Sequence, residues 1–442
     1  MKKALIIIGV SLTIFFAGCE KDFLDKKPNK ALLVPTTLND FQALLDNNIV
    51  FNVNPALNII AGDEYTVTNN GTGLNILQSN AYYWADDIYQ AATVIADWDT
   101  PYKQVFYANI ILDGLEKLDR NIDPARYDNI KGSALFVRSF AFYNLVQLFA
   151  QPYNMETATT IPAIPMPLSS DVNKRPGRGT LEQFYIQLAS DLKTSAELLP
   201  LIASFKSRPS KWACFSLLAR VYLTKQNYRN AFDYAEASLS INNNLIDYNS
   251  LDATASNPFP ATLPNGNPEV SYNSENLSYA FVRSTVVKFS DDLTSAYEQG
   301  DLRKALYFIP SNGRFRGYVG IANDEVFLVR AESACRLGKL DVAGEDLNFL
   351  LVRRYKTGTF VPVQGLSQTE LLNKILLERK KELVARGIRW TDLRRLNQEP
   401  LTAVTLKRKR DQAEIVLLPN SPKYTFLLPN TELGNGIEQN PR

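Results

Sequence analysis

The chain of 442 residues contains no histidine. That absence removes Ser-His-Asp and Cys-His nucleophile systems, the HExxH zinc site and imidazole acid-base chemistry together. Carboxylate-only chemistry survives it, so hydrolysis by a pair of acids has to be weighed separately. Cysteine and methionine are scarce, at three each. Two of the cysteines, Cys214 and Cys335, lie among apolar residues of expected helices, where buried free thiols are the expected state, although an oxidising compartment would permit a bridge. No GxxxxGK[ST] phosphate loop is present, so no nucleotide-driven step is expected of this chain. A charge surplus is missing too: 48 basic residues face 46 acidic ones. Such a balance gives no broad positive field to gather nucleic acid.

The long apolar run is at the N-terminus. Lys2 and Lys3 precede Ala4–Ala17, 14 residues without a charge, where a membrane-spanning helix needs roughly 20. A basic head, a short apolar run and the small residues Ala17 and Gly18 read as a signal peptide over residues 1–18. Cys19 follows and resembles the lipobox cysteine of bacterial lipoproteins. Phe16 stands where that motif usually has leucine or another aliphatic residue. The resemblance implies cleavage before Cys19 and lipidation of it, and each buried CH₂ of an acyl chain holds a protein to a bilayer by about 0.8 kcal/mol. Loss of Lys2 and Lys3 leaves 46 basic against 46 acidic residues, a mature net charge of zero.

Most of what remains reads as amphipathic helix. Thr37–Asn48 carries Leu38, Phe41, Leu44 and Leu45 on one face. Thr100-Pro101 reads as an N-cap with proline at the first helical position. The helix after it carries Val105, Ala108, Leu112 and Leu115, with Asn109 on the same stripe as a buried amide that holds a nearby loop. Helices are expected over Tyr127–Ala150 and Thr180–Leu199, the latter opened by a Thr180/Gln183 capping box. Two later segments repeat each other at a shift of 112 residues. Phe215 matches Phe327, Ala219 matches Ala331, Ala231 matches Ala343 and Leu239 matches Leu351. This is the tetratricopeptide pattern, in which small residues let paired helices approach, and about three or more units are needed for a stable stack. The earlier helix pairs must therefore supply the rest. Long polar stretches separate the helices over 60–81, 152–179 and 242–290. "AVTLKRKRDQAEIVLLP" reads as a β-hairpin, with Lys407–Arg410 as a solvated turn.

Several segments, in order, resemble the SusD/RagB family of nutrient-binding outer-membrane lipoproteins of Bacteroidetes. They are "CEKDFLDKKP", "WDTPYKQVFYANIILDGL", "GSALFVRSFAFYNLVQLFAQPY", "IPAIPMPL", "LEQFYIQLASDLKTSAELLP", "LLERKKELVARGIRWTDLRRL" and "FLLPNTELGNGIEQNPR". Arg386 stands where the family's EGxRW motif often has an acid, and the chain is short for the family. The resemblance implies a mainly α fold of about four tetratricopeptide-like helix pairs with long irregular loops and a small C-terminal β-hairpin. It implies an N-terminal region over 19–205 and a C-terminal region over 206–442, packed as one body. It also implies no catalysis, no cofactor and no metal, a lipid anchor in the outer membrane facing the cell exterior, and delivery of an oligosaccharide or peptide to a SusC-like TonB-dependent barrel. Glu20 and Asp22 look like the signal for export to the surface.

Trp98 and Trp212 are expected to be packing residues, and the Arg389-Trp390-x-Asp392 corner a knot of ion pairs and stacked rings. For the ligand, the resemblance points to the region around Trp84 and to the loop between the last two repeats. Aromatic faces cover sugar CH groups while flanking polar groups read hydroxyls. The candidates are Tyr65, Tyr83, Trp84, Tyr272 and Tyr279, with Asp63, Asn69 and Arg283 as polar partners. The adjacent acids Asp86-Asp87 and Asp291-Asp292 are the candidate pairs for a glycosidase, but neighbours in sequence diverge rather than face each other. The other reading is a repeat scaffold that binds partner proteins and no small ligand.

Overall fold

A computed structural model describes residues 35–90, 94–277, 279–309 and 314–442. The leader, Cys19 and the tether after it lie outside the described residues. Helix α1 (Leu38–Leu45) is opened by Thr37 and Asp40, each bonded to the other's backbone N–H. Strand β1 (Tyr65–Val67) and helix α2 (Ile76–Tyr82) form within the Asn/Gly-rich stretch. Helix α3 (Ala96–Leu115) corrects the expected start at Thr100-Pro101: it begins five residues before Pro101, which lies inside it. The reason is local. Asp99 accepts the Ile95 N–H at 3.0 Å and so satisfies the end one turn earlier. Helix α4 (Pro124–Phe149) starts on Asp123 with proline at its first position. Helix α5 (Leu181–Leu198) opens on the Thr180/Gln183 capping box read from sequence.

The first repeat forms α6 (Lys211–Thr224) and α7 (Tyr228–Ile241). After it come β2 (Val270–Tyr272), α8 (Tyr279–Arg283), β3 (Val287–Phe289) and β4 (Ile321–Ala322). The second repeat forms α9 (Asn323–Arg336) and α10 (Leu340–Leu351), followed by α11 (Gln368–Glu382) and α12 (Arg389–Leu396). The hairpin is β5 (Leu406–Arg410) and β6 (Ala413–Leu417), with Leu406 opposite Leu417 and Arg410 opposite Ala413. The packing runs in sequence: α3 on α4, α4 on α5, α5 on α6, α6 on α7, α7 on α9, and α9 on both α10 and α11. Ala219, Ala231, Ala331 and Ala343 are fully buried, as close helix approach within each repeat requires. The fold is therefore mainly α and tetratricopeptide-like, and Thr37–Arg442 forms one compact unit.

Asn109 holds its loop as expected, donating to the carbonyls of Pro167 at 2.9 Å and Ser169 at 3.2 Å. Trp98 packs against Tyr102 and Phe149, and Trp212 donates from Nε1 to Asn323. Trp390 packs on Tyr424 and Phe426, and Asp392 beside it pairs with Arg379 and Arg395, so the corner is a knot of ion pairs and stacked rings, but Arg389, expected in it, pairs with Asp63 instead. Arg386 finds a buried acid of its own, Asp324, and lies over the Tyr318 ring. Cys214 and Cys335 are buried and unbridged, and burial pushes the Cys214 thiol up to about 12. Among the described residues no helix is long and apolar enough to cross a membrane.

Candidate functional site

Strand β1 alternates inward, outward, inward. It pairs antiparallel with β3, setting Tyr65 opposite Phe289, Thr66 opposite Lys288 and Val67 opposite Val287. Thr66 therefore faces out while the Tyr65 ring packs on Phe289 at 4.6 Å and on Phe281 at 5.9 Å. The same period governs β5. Leu406 and Arg408 point inward, Lys407 and Lys409 outward. The hairpin tip is fastened to the Asn/Gly loop by a reciprocal pair: Asn70 Nδ2 donates to Asp411 Oδ1 at 2.8 Å, and Asp411 N–H donates to Asn70 Oδ1 at 2.9 Å. Asp411 adopts φ 54° to make that turn.

Between β1, the hairpin, α11 and the start of α12 lies a cleft of about 570 Å³. Its floor is aromatic. The Arg408 guanidinium lies 3.6 Å from the centre of the Tyr82 ring and 4.1 Å from that of Trp84. It also donates to the carbonyls of Ile60, Ala61 and Gly62. Trp84 Nε1 donates to the same Ala61 carbonyl at 3.1 Å. Asp63 accepts from Arg389 at 2.7 and 2.9 Å and from Lys380 at 3.1 Å. Burial alone would raise the Asp63 carboxyl, but the two cations hold it well below the usual carboxylate range. Burial raises Glu64 to about 8, with the charge of Asp63 adding to the effect.

Of the residues singled out from sequence, Asp63, Tyr65 and Trp84 line this one cleft. Tyr83 sits beside it with the Arg410 guanidinium 4.9 Å from its ring centre, and Asn69 is exposed on the loop that meets the hairpin tip. Arg283 lines a smaller cavity of about 170 Å³, whose wall shares Tyr65. Tyr279 opens α8. Tyr272 belongs elsewhere: it is fully buried between Phe136 and Phe140, with its hydroxyl donating to the Phe51 carbonyl. That corrects its assignment as a ligand platform, because β2 runs beneath α4 rather than along the cleft. Trp84 and Tyr65 are corrected in part. Both reach the cleft, but each is less than 5% exposed, so their faces are spent on Arg408 and on Phe289. Asp63 is likewise engaged in ion pairs.

Sequence reasoning missed the cations. Lys407–Arg410 is a strand rather than a solvated turn, and its alternation buries Arg408. The signal was present in the inward-outward period of the hairpin. Lys380 and Arg389 gave no such signal. The acidic pairs do not assemble a catalytic site: Asp86 is bonded to Lys423, Asp87 caps Gln90, and Asp291 and Asp292 occupy the first turn of a short helix. Asp63, one of three carboxylates lining the cleft, is held ionised and is no proton donor at neutral pH. Among the described residues no three His, Cys, Asp or Glu are grouped to hold a metal ion.

A family model described as "Starch-binding associating with outer membrane" matches residues 22–223, and the SusD family model matches residues 324–429. SusD-like protein P2 of Formosa agariphila is 24% identical over an alignment of 415 positions, covering 76% of this chain and 78% of that one. SusD-like protein P25 of the same organism is 23% identical, covering 68% of this chain and 55% of its own length. A SusD superfamily protein from Bacteroides thetaiotaomicron superposes with a TM-score of 0.73 at 22% identity, covering 92% of this chain and all of its own. Surface glycan-binding protein A from Bacteroides uniformis superposes with a TM-score of 0.66 at 14% identity, covering 91% and 99%. The repeat stack, the hairpin closing on the Asn/Gly loop and the two matched segments agree, and the chain belongs to the SusD/RagB family.

Proposed function

We propose that this protein is a carbohydrate-binding component of the cell surface that captures oligosaccharides at the hairpin cleft. The observation that carries the reading is the cleft itself, in a family described as starch-binding. It has the volume of a ligand site, a floor of aromatic rings covered by the Arg408 guanidinium and polar groups held in place by bonds to the scaffold. A structural neighbour described as a surface glycan-binding protein supports the same reading. Calorimetry against an oligosaccharide panel tests it. Thr66 faces out at the cleft wall, and Thr66→Trp fills that wall without touching the core. Binding weakened by about tenfold or more, with an unchanged unfolding midpoint, is the expected result. An unaffected affinity places the ligand elsewhere, and no binding to any glycan leaves the protein-scaffold reading.

The proposal extends to anchoring and delivery. Residues 1–18 are removed, Cys19 is lipidated in the outer membrane, and the ligand passes to a TonB-dependent barrel; among the described residues no helix is long and apolar enough to cross a membrane. The parts of regions 19–205 and 206–442 that lie within Thr37–Arg442 act together as one compact unit. Purification in mild detergent is expected to bring the barrel down with the wild-type protein. Cys19→Ala is expected to abolish membrane attachment, moving the protein to the soluble fraction or leaving it uncleaved. Wild type found in the soluble pool without added mass at Cys19 would refute the anchor, and wild type eluting alone would refute the stable complex.

A further inference from the structure

The cleft is not neutral. Lys380, Arg389, Lys407, Arg408 and Lys409 line it. Against these five cations stand three acids, Asp63, Asp292 and Glu414, an excess of two positive charges in a chain whose mature net charge is zero. How these groups are paired matters more than the count. Asp63 is shared by Arg389 and Lys380. Glu414 lies opposite Lys409 in the hairpin register, yet its carboxylate is taken by Lys407 at 3.0 Å. Asp292 shares the first turn of its helix with Asp291. That leaves Arg408 and Lys409 without an ion-pair partner among the described residues.

Arg408 is the more informative of the two. Its side chain is fixed between two aromatic rings, its Nη2 is committed to backbone carbonyls, and its residue is 6% exposed. Its Nη1, shielded from solvent, has no hydrogen-bond partner among the described residues. The Tyr65 hydroxyl, in the same wall, also lacks one. A buried guanidinium with an unused donor is costly unless something completes it. Burial lowers Arg408 only to about 10, so it keeps its charge at neutral pH. A guanidinium presents its N–H groups in a planar fork suited to a carboxylate or a sulfate. The aromatic rings beneath it fix the guanidinium in the cleft wall.

We infer that the cleft is built for an acidic oligosaccharide, one whose sugar rings carry carboxylate or sulfate groups, attracted by the unpaired charges of Arg408 in the cleft wall and Lys409 on the outward face of the hairpin. This rests on the carbohydrate reading above and narrows it to a charge class. Neutral sugars would leave both cations without a counter-charge, whereas an anion supplies one. The Lys409 ammonium at the mouth draws the anion in and loses that pull as salt rises.

The test uses the full purified chain and three oligosaccharides of equal length: galacturonan for carboxylate, carrageenan for sulfate and neutral amylose. Calorimetry at low and high ionic strength is expected to show one of the two acidic sugars bound about tenfold or more tighter than amylose, with the advantage shrinking in salt. The two acidic arms distinguish carboxylate from sulfate. Lys409→Glu, an exposed substitution that leaves the core intact, is expected to remove most of that preference while leaving the unfolding midpoint unchanged. Arg408→Lys keeps the charge but not the fork, and is expected to weaken acidic-sugar binding without creating affinity for amylose. Amylose bound as tightly as either acidic sugar overturns the charge class and leaves carbohydrate binding standing. An acidic preference untouched by Lys409→Glu and by salt overturns the placement at this cleft. Binding of an acidic peptide but of no oligosaccharide overturns both readings.

Discussion

Arg303→Ala is expected to lower the unfolding free energy by about 4 kcal/mol or more, enough to leave much of the protein unfolded under ordinary conditions. Arg303 has no exposed surface and donates to three carboxylates: Asp301 at 2.6 and 2.9 Å, Glu378 at 2.6 Å and Glu382 at 3.0 Å. Lys381 pairs with Asp301 and Glu378, and Arg354 links Glu382 to Glu269. Glu269 accepts from Tyr318, which also bonds Asp324, the partner of Arg386. The core of the network thus holds five acids and four cations. Burial raises Glu269, so that the surplus proton can reside there. Removing Arg303 leaves five buried acids facing three cations, and each uncompensated charge must take up a proton or draw in water. Replacing the whole cluster with apolar residues could be neutral, but removing one member is not. Urea unfolding of Arg303→Ala beside wild type measures the loss. A loss below about 1 kcal/mol would mean that water already screens the cluster.

This network was invisible in the sequence, and the reason is geometric. The run Glu378-Arg379-Lys380-Lys381-Glu382 is five charged residues in a row, with no local sign of burial. In the fold, four of its five side chains are buried and only Lys380 reaches the cleft. Their partners lie far along the chain: Arg303 is 75 residues from Glu378. Local periodicity cannot show a pairing set by tertiary contact. Features that depend on neighbours in sequence were legible. The Thr180/Gln183 capping box, the paired alanines of the two repeats and the hairpin are each fixed by residues within one or two elements. The cleft was half legible. The stretch around Asp63, Tyr65 and Trp84 could be located, but the role of Trp84 could not, because Arg408, which covers it, arrives more than 300 residues later. Tyr272 was misplaced for the same reason. An aromatic residue in a polar loop reads as a binding residue until a helix, here α4, is found lying over it.

Glu64→Gln is expected to flatten the pH dependence of stability, with its largest effect above neutrality. Glu64 is 1% exposed. One carboxyl oxygen accepts the Ala385 N–H at 3.1 Å, and the other has no partner. Burial, then the neighbouring charge of Asp63, raises its pKa to about 8, whereas in the unfolded chain a glutamate titrates near 4.3. The folded state therefore keeps a proton that the unfolded state gives up between about pH 4.3 and pH 8, so stability falls as pH rises through that window. The stability that Glu64 contributes is fully present below the lower limit and gone above the upper one. The shift corresponds to about 5 kcal/mol over the whole range. Glutamine keeps the acceptor for Ala385 and cannot ionise. Unfolding in urea should show mutant and wild type alike at about pH 4.5 and the mutant more stable by several kcal/mol at about pH 8.5. Parallel pH profiles for the two would disprove the assignment. The consequence reaches the cleft, because Glu64 ties β1 to the Ala385–Gly387 elbow that leads into Arg389. Its carbonyl accepts from Ser290 N–H, and the Ser290 hydroxyl bonds the Asp63 carbonyl. Ionising Glu64 in this setting places a second carboxylate beside Asp63, competing with it for Arg389 and Lys380. Ligand affinity of the wild type should then weaken above about pH 8, while that of Glu64→Gln should hold.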